Sequence, residues 1–289
     1  MQTAAHLADE TDKSSGFCYG GEGSGFLNEP ESWKAAAASV TGLSHVKKGR
    51  QCDDAAAAVR HNGWFVAVVS DGAGSARYGG EGAALIVATL SKQLLEELSA
   101  ATQPRIADRV LEALCTTRQV LVNRAGEVGE VVSSFNATVV AAVLRNGRGL
   151  MFHLGDGAAI SFSPLGEPRT LSLGTPKEYA NETHFLADAA WKRALQILPV
   201  WGADTVLLMS DGVSPFAVES ARAKDSFYKP LLAHMGRTSP SAGAAATRRL
   251  LETPAAVRQV GDDKTLLWAS CARTSCAGAT DNAEGSDAG

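Results

Sequence analysis

Three apolar runs in this chain stop in the same way. "WFVAVVSDG" ends in Asp71-Gly72, "GLMFHLGDG" in Asp156-Gly157 and "TVLLMSDG" in Asp211-Gly212. A short apolar run bounded by turn residues reads as a buried strand, so a carboxylate at the end of each one needs a reason. Either the Asp-Gly pairs are three tight turns, or the fold brings three carboxylates to one place. Any pair alone favours the turn, because Asp and Gly are both turn formers.

Further strand candidates are "ASVTGLSH", "DAAAAVR", "ATVVAAVL", "AISFSP" and "TLLWAS". Two helical patterns follow the Asp71 turn. In "EGAALIVATLSKQLLEEL", Val87, Leu90, Leu94 and Leu98 recur at three- and four-residue steps, which gives a helix one buried face. "RIADRVLEALCTTRQVLVNRA" does the same through Ile106, Val110, Leu114 and Leu121, with Pro104 near its start, where helices tolerate proline. Asn146-Gly147 lies between two strand candidates and predicts a hairpin with a primed turn. Strands, then paired helices, then strands again predict an α+β layered domain rather than the strict βαβ alternation of a parallel sheet.

With 289 residues, 45% of them hydrophobic, the chain can bury one large core. Residues 1–32 are rich in Gly, Ser and acids and read as a flexible N-terminal segment; their "GGEGSGF" lacks the Lys-Ser/Thr of a phosphate-binding loop. Residues 271–289, small and polar, read as a disordered tail. The folded domain is then expected over 33–270. A formal charge of −4 with no basic block excludes nucleic acid as a partner. No apolar run approaches the roughly 20 residues of a membrane span, and the opening "MQTAAHLADETDKSSG" has no leader-like pattern. The expected location is the cytoplasm, away from any membrane. Five cysteines without C-x-x-C spacing form neither a disulfide framework nor a zinc ribbon.

Two further acid pairs each abut a strand candidate: Asp53-Asp54 before "AAAAVR" and Asp262-Asp263 before "KTLLWAS". Gathered at neighbouring strand ends, five or six carboxylates would crowd one cleft and call for divalent cations to offset their repulsion. A set of carboxylates, a backbone carbonyl and waters, without His or Cys, suits Mg²⁺ or Mn²⁺ rather than Zn²⁺.

In their order and flanks these motifs resemble the metal-dependent protein phosphatases, the type-2C serine/threonine family in its bacterial form, over residues 33–270. The matching elements are "GRQCDDA", "VVSDGAGS", "SSFNATVVAAVL" with "FHLGDGAAI", "LLMSDGV" and "GDDKTLLW". The resemblance implies a central sandwich of two antiparallel β-sheets flanked by α-helices on both faces, with a binuclear metal site at one end. It implies that Asp71 bridges two tightly held Mn²⁺ or Mg²⁺ ions, with the Gly72 carbonyl helping one of them. Asp211 and Asp262 would hold the other ion, and Asp53 and Asp54 would supply a ligand and a partner for metal-bound water. Asp156 would bind a third, weaker ion, and Asp263 would stand behind the ligands. Catalysis would then centre on Asp54, Asp71 and Asp211, with a metal-bridging hydroxide attacking phosphoserine or phosphothreonine directly. The implied partner is a phosphorylated protein, with a cognate serine/threonine kinase making the substrate.

The chain departs from the family in two places. Many members carry His directly after the second Asp-Gly motif, where this chain has Ala73. The phosphate-binding Arg before the first acidic motif is displaced, leaving Arg50, Lys48 and Arg77 as candidates, with Lys47 beside them. These departures keep an alternative open: a catalytically weak relative that serves as a regulatory or phosphoprotein-binding module. A doubly wound phosphotransferase is a third reading, opposed by the missing D-x-D nucleophile. His45 and His153 lie in strand-like runs and read as hydrogen-bonded structural residues, while Cys52 reads as a small buried side chain. The segment from about Leu173 to Ala203, including "EYANETHFL", is expected to form a flap beside the cleft.

Overall fold

The computed structural model describes residues 31–100, 105–174, 183–235 and 237–273. Strands β1 (Glu31–Val40), β2 (Asp54–His61), β3 (Trp64–Asp71), β4 (Val139–Arg145), β5 (Arg148–Leu154) and β6 (Ala158–Phe162) come first. They are followed by β7 (Pro168–Leu173), β8 (Gln196–Trp201), β9 (Thr205–Met209), the short β10 (Val218–Glu219) and β11 (Arg222–Ala223), and β12 (Lys264–Arg273). One sheet has the order β1-β12-β9-β6-β7 and the other β2-β3-β4-β5-β8; every pairing in both is antiparallel.

The helices are α1 (Leu43–Val46), α2 (Gly79–Ala100), α3 (Ile106–Glu127), α4 (Trp191–Ala194), α5 (Ser214–Ala217), α6 (Asp225–Met235), α7 (Pro240–Leu251) and α8 (Pro254–Gln259). Pro240 and Pro254 open the last two, behind Ser239 and Thr253, whose hydroxyls accept from the backbone N–H of Ala242 and Ala256.

Strand β3 explains why its sequence is apolar without alternation. The pleat turns Phe65, Ala67 and Val69 toward the other sheet, where they meet Trp33, Leu208 and Leu267. Val66 and Val68 face the opposite way, onto Ile86, Leu90 and Leu94 of α2. Both faces are dry. On the far side of the other sheet, Ala36, Leu207, Met209 and Trp268 pack under Tyr228 and Leu231 of α6 and Leu251 of α7. The result is a four-layer α+β sandwich, helices outside and two antiparallel sheets within, as the resemblance implied.

Several expectations need correction. The run "ASVTGLSH" is not one strand: it ends β1 and then forms α1, so His45 sits on a helical turn. Strand β1 itself begins at Glu31, and its alanines hid it because Ala is a poor strand former. The small side chains leave room for α7, since a Cβ at Gly243 would stand 3.3 Å from that of Ala36 and 2.5 Å from the Trp268 ring. Residues 31–32 pair with residues 272–273, so the folded part reaches past both expected boundaries. The rest of the expected flexible segment and tail, 1–30 and 274–289, lies outside the described residues.

The expected flap is also partly core. Leu186 and Trp191 are buried against α2 and α3, and β8 pairs with β5 along its length. Strand β8 is the outer strand of its sheet, which is where its Pro199 can be accommodated. Residues 175–182, the middle of the expected flap, lie outside the described residues.

Candidate metal centre

The strand ends bring the acids together. Asp54 opens β2 and stands directly opposite Asp71 at the end of β3. From the other sheet, Asp211 follows β9 and Asp262-Asp263 precede β12, the strand paired with β9. The Asp71 and Asp211 carboxyls lie close enough for each to perturb the other's titration, so the two sheets meet at these side chains. Asp156, between β5 and β6, is close enough for its charge to bear on Asp211, as does that of Asp262.

The glycines after these acids answer the question posed by the three Asp-Gly pairs. None of Gly72, Gly157 or Gly212 has the positive φ that a primed or type II turn would need. Instead, a Cβ at Gly72 would lie 2.4 Å from the backbone carbon of Gly79, at Gly157 2.5 Å from the Met209 carbonyl oxygen, and at Gly212 1.8 Å from that of Asp263. Each glycine lets another backbone segment approach an acid-bearing strand end.

Burial and mutual repulsion set the electrostatics. Burial pushes the Asp54 carboxyl up to about 7, and the Asp263 and Asp211 charges add to this against hydrogen bonds from Thr265 and Ser210. Burial, then Asp54 and Asp211, raise Asp71 well above the usual carboxylate range. Asp211 and Asp53 are raised by burial too, with Arg50 and His45 working against it at Asp53. The Cys52 thiol is pushed far up by burial and by the Asp54 and Asp263 charges, which suits an inert side chain.

Asp263 is different. It is 3% exposed and accepts from the Gly42 N–H at 2.6 Å, the Asp53 N–H at 2.6 Å and His45 Nδ1 at 2.9 Å. It therefore stitches α1 and the first acid pair to the start of β12. Sequence reading gave Asp263 a supporting place and His45 a structural one, but did not pair them. It also missed Ser210, which donates to Asp54 Oδ2 at 2.8 Å and accepts from Thr265 N–H at 2.9 Å. Thr138 was missed as well; its hydroxyl accepts from Asp71 N–H at 3.0 Å while its carbonyl takes the Ser70 hydroxyl at 2.6 Å. The available signal was the serine that precedes both Asp71 and Asp211.

Among the described residues, no three His, Cys, Asp or Glu side chains are already gathered as a closed ligand set. The acids nevertheless fit divalent cations. Asp54 Oδ1 and Asp211 Oδ1 are buried without a hydrogen-bond partner among the described residues, an arrangement that costs free energy unless something positive fills it. Of the candidate phosphate-binding cations, Arg50 reaches the cluster: Nη2 donates to Asp53 Oδ2 at 2.5 Å and Nη1 to the Gly74 carbonyl at 3.3 Å. Arg77 is tied to Glu130 at 2.6 Å and is mostly exposed, and Lys48 is exposed on the loop after α1. Beside Asp156 an open hollow of about 330 Å³ is lined by Leu173, Ser214, Pro215 and Val218, and Thr183 donates to Asp156 Oδ2 at 2.7 Å.

A sequence model of the protein phosphatase 2C family matches residues 41–252, so the chain belongs to that family. It is 29% identical over 254 residues to serine/threonine-protein phosphatase 3 of Escherichia coli K12, covering 82% of this chain and 99% of that protein. Among solved structures it is similar to a bacterial serine phosphatase (17% identity, TM-score 0.57, 83% of this chain and 98% of that one). It is also similar to the serine/threonine phosphatase Stp1 of Staphylococcus aureus (17% identity, TM-score 0.55, 91% and 99%). Among the described residues no helix is long and apolar enough to cross a membrane.

Proposed function

We propose that this protein phosphatase hydrolyses phosphoserine and phosphothreonine in proteins, with Mn²⁺ or Mg²⁺ as its cofactor. The observation that carries this reading is the meeting of Asp54, Asp71 and Asp211 from both sheets, with two buried carboxylate oxygens that lack a hydrogen-bond partner among the described residues. Asp71 and Asp211, with Asp262 and the Gly72 carbonyl, would hold two ions; Asp53 and Asp54 complete the surround, and Asp156 at the rim would hold a third, more weakly. Bound there, divalent cations supply the charge that acidifies a water and receives phosphoryl oxygens in line with it.

The chain's own groups then set the geometry. Ser210 fixes one oxygen of Asp54 and leaves the other free, while Asp263 holds Asp53 through its backbone N–H. Arg50 would take a phosphoryl oxygen, because it stands on the Asp53 side of the acids, whereas Arg77 is exposed and faces Glu130. The E. coli relative's name supports a serine/threonine substrate, and a kinase that phosphorylates the same protein is the expected counterpart. Hydrolysis of an aryl phosphate and a phosphothreonine peptide in Mn²⁺, in Mg²⁺ and in chelator tests the proposal. Activity with either metal and none in chelator is expected; turnover that persists in chelator would sink it.

A further inference from the structure

The end of the sandwich away from the acids carries a second concentration of charge, of the opposite sign. Arg145 and Arg148 stand directly opposite each other on the β4–β5 hairpin, where like charges repel. Each guanidinium lies over an indole ring, Arg145 over Trp64 and Arg148 over Trp201, both at 5.5 Å. Both arginines are exposed, and neither forms an ion pair with any described residue. Asp108, near the start of α3, is already faced by Arg105 at 3.8 Å. Between the hairpin and that helix start lies an open hollow of about 460 Å³, lined by Trp64, Ile106, Arg145, Asn146 and Arg148. Trp201 beside it is 62% exposed, and the buried Trp64 Nε1 has no hydrogen-bond partner among the described residues.

Resting on the phosphatase reading, we propose that this face docks an acidic segment of the phosphoprotein substrate. Two unpaired guanidiniums in a chain of net charge −4 are a local feature that carboxylates would complement, with bidentate geometry available at each. The exposed Trp201 indole offers flat apolar surface to the side chains between the acids, while the buried Trp64 ring backs Arg145 from beneath. The acid-rich cleft repels such a segment, so it is sorted to the hairpin end while the phosphorylated residue enters at the other. From Trp64 to Asp71 along β3, at about 3.3 Å per residue, the two ends lie about 23 Å apart. A substrate would need at least about seven extended residues between its acidic stretch and its phosphorylated residue.

The test uses two phosphothreonine peptides with a flexible linker of that reach, one ending in a tract of glutamates and the other in glutamines. For the wild-type protein, KM for the glutamate peptide is expected to be about tenfold lower, with kcat unchanged and the advantage fading as salt is raised. Arg148→Glu and Arg145→Glu should abolish the advantage while leaving aryl phosphate hydrolysis and melting temperature as they were, and Arg148→Gln should reduce it. Equal KM values on the wild type, or an advantage that survives both charge reversals, overturns the proposal. So does loss of self-association on charge reversal with the KM ratio unchanged, which would assign the face to a second copy of the chain. Fluorescence anisotropy with the same labelled peptides reads docking even if no phosphate is released, so failure of the docking idea and failure of the phosphatase reading are distinguishable.

Discussion

Asp71-Gly72 and Asn146-Gly147 both follow a buried strand, at opposite ends of the same sheet, and their glycines serve different ends. At the hairpin, Asn146 and Gly147 both adopt left-handed φ values, 54° and 69°, so glycine and asparagine answer a local demand of the primed turn. At the acid end, Gly72 has no such φ; a side chain there would run into the backbone at Gly79. One glycine is required by its own torsions and the other by a neighbour in space. The polar partners differ likewise: Asn146 belongs to a solvated turn, whereas Asp71 is held among other carboxylates at a cost in desolvation and repulsion.

The sharpest way to break this contrast is Asp71→Asn, which keeps shape and turn chemistry but removes the charge. If Asp71 serves cations, turnover should fall by on the order of 10³-fold and the rise in melting temperature with Mn²⁺ should vanish. Stability without metal should hold or increase, because one of several crowded carboxylates is gone. A plain turn residue would leave activity and the Mn²⁺ response nearly intact.

That the acids converge was legible in the sequence because five motifs in one order are hard to reconcile with independent turns. The layers were legible too, since α2 and α3 show their buried stripe and β3 its two dry faces. What could not be read was anything decided by contact between remote segments. Strand β8 is short and contains Pro199, and only its place at the sheet edge makes it a strand. Asp262 and Asp263 are adjacent in sequence, yet one is exposed and the other accepts three hydrogen bonds from segments more than 200 residues away. Nothing local distinguishes them.

The spatial role of the acid-end glycines gives the next largest effect. Gly212→Ala would place a Cβ 1.8 Å from the Asp263 carbonyl oxygen, and because that contact is backbone rather than a flexible side chain, the strand ends must part. A loss of at least about 3 kcal/mol in denaturant unfolding is expected. A variant within about 0.5 kcal/mol of wild type would remove the close-approach explanation.

His153 sharpens the comparison in a different direction, because it is a buried titratable group with no acid bonded to it. It lies on β5, bonds Ser172 at 3.2 Å, and leaves Nε2 without a partner among the described residues. Burial lowers its pKa to about 4, with the Asp156 charge opposing. An unfolded histidine takes up its proton near pH 6.5, so between 6.5 and 4 the unfolded state binds more protons and stability falls as the pH is lowered. The contribution lost is about 3 kcal/mol at about 1.4 kcal/mol per pH unit. In His153→Gln that slope should disappear, read as the difference between the two unfolding free energies across the window. A difference that stays flat with pH would show that the ring is not the group titrating.

The smallest effect belongs to the hairpin, and its size is what keeps the two glycines apart. Gly147→Ala puts a methyl group at a φ of 69°, which costs about 1 kcal/mol through backbone strain. Because Ala203 N–H donates to the Gly147 carbonyl at 3.1 Å, the strain should remain local to the turn and the start of β9. Aryl phosphate turnover should be unchanged, since the acids lie at the other end of the strands. If Gly147→Ala instead cost as much as Gly212→Ala, or lowered turnover with it, the two ends would not be independent, and the division between a torsional glycine and a contact glycine would fail.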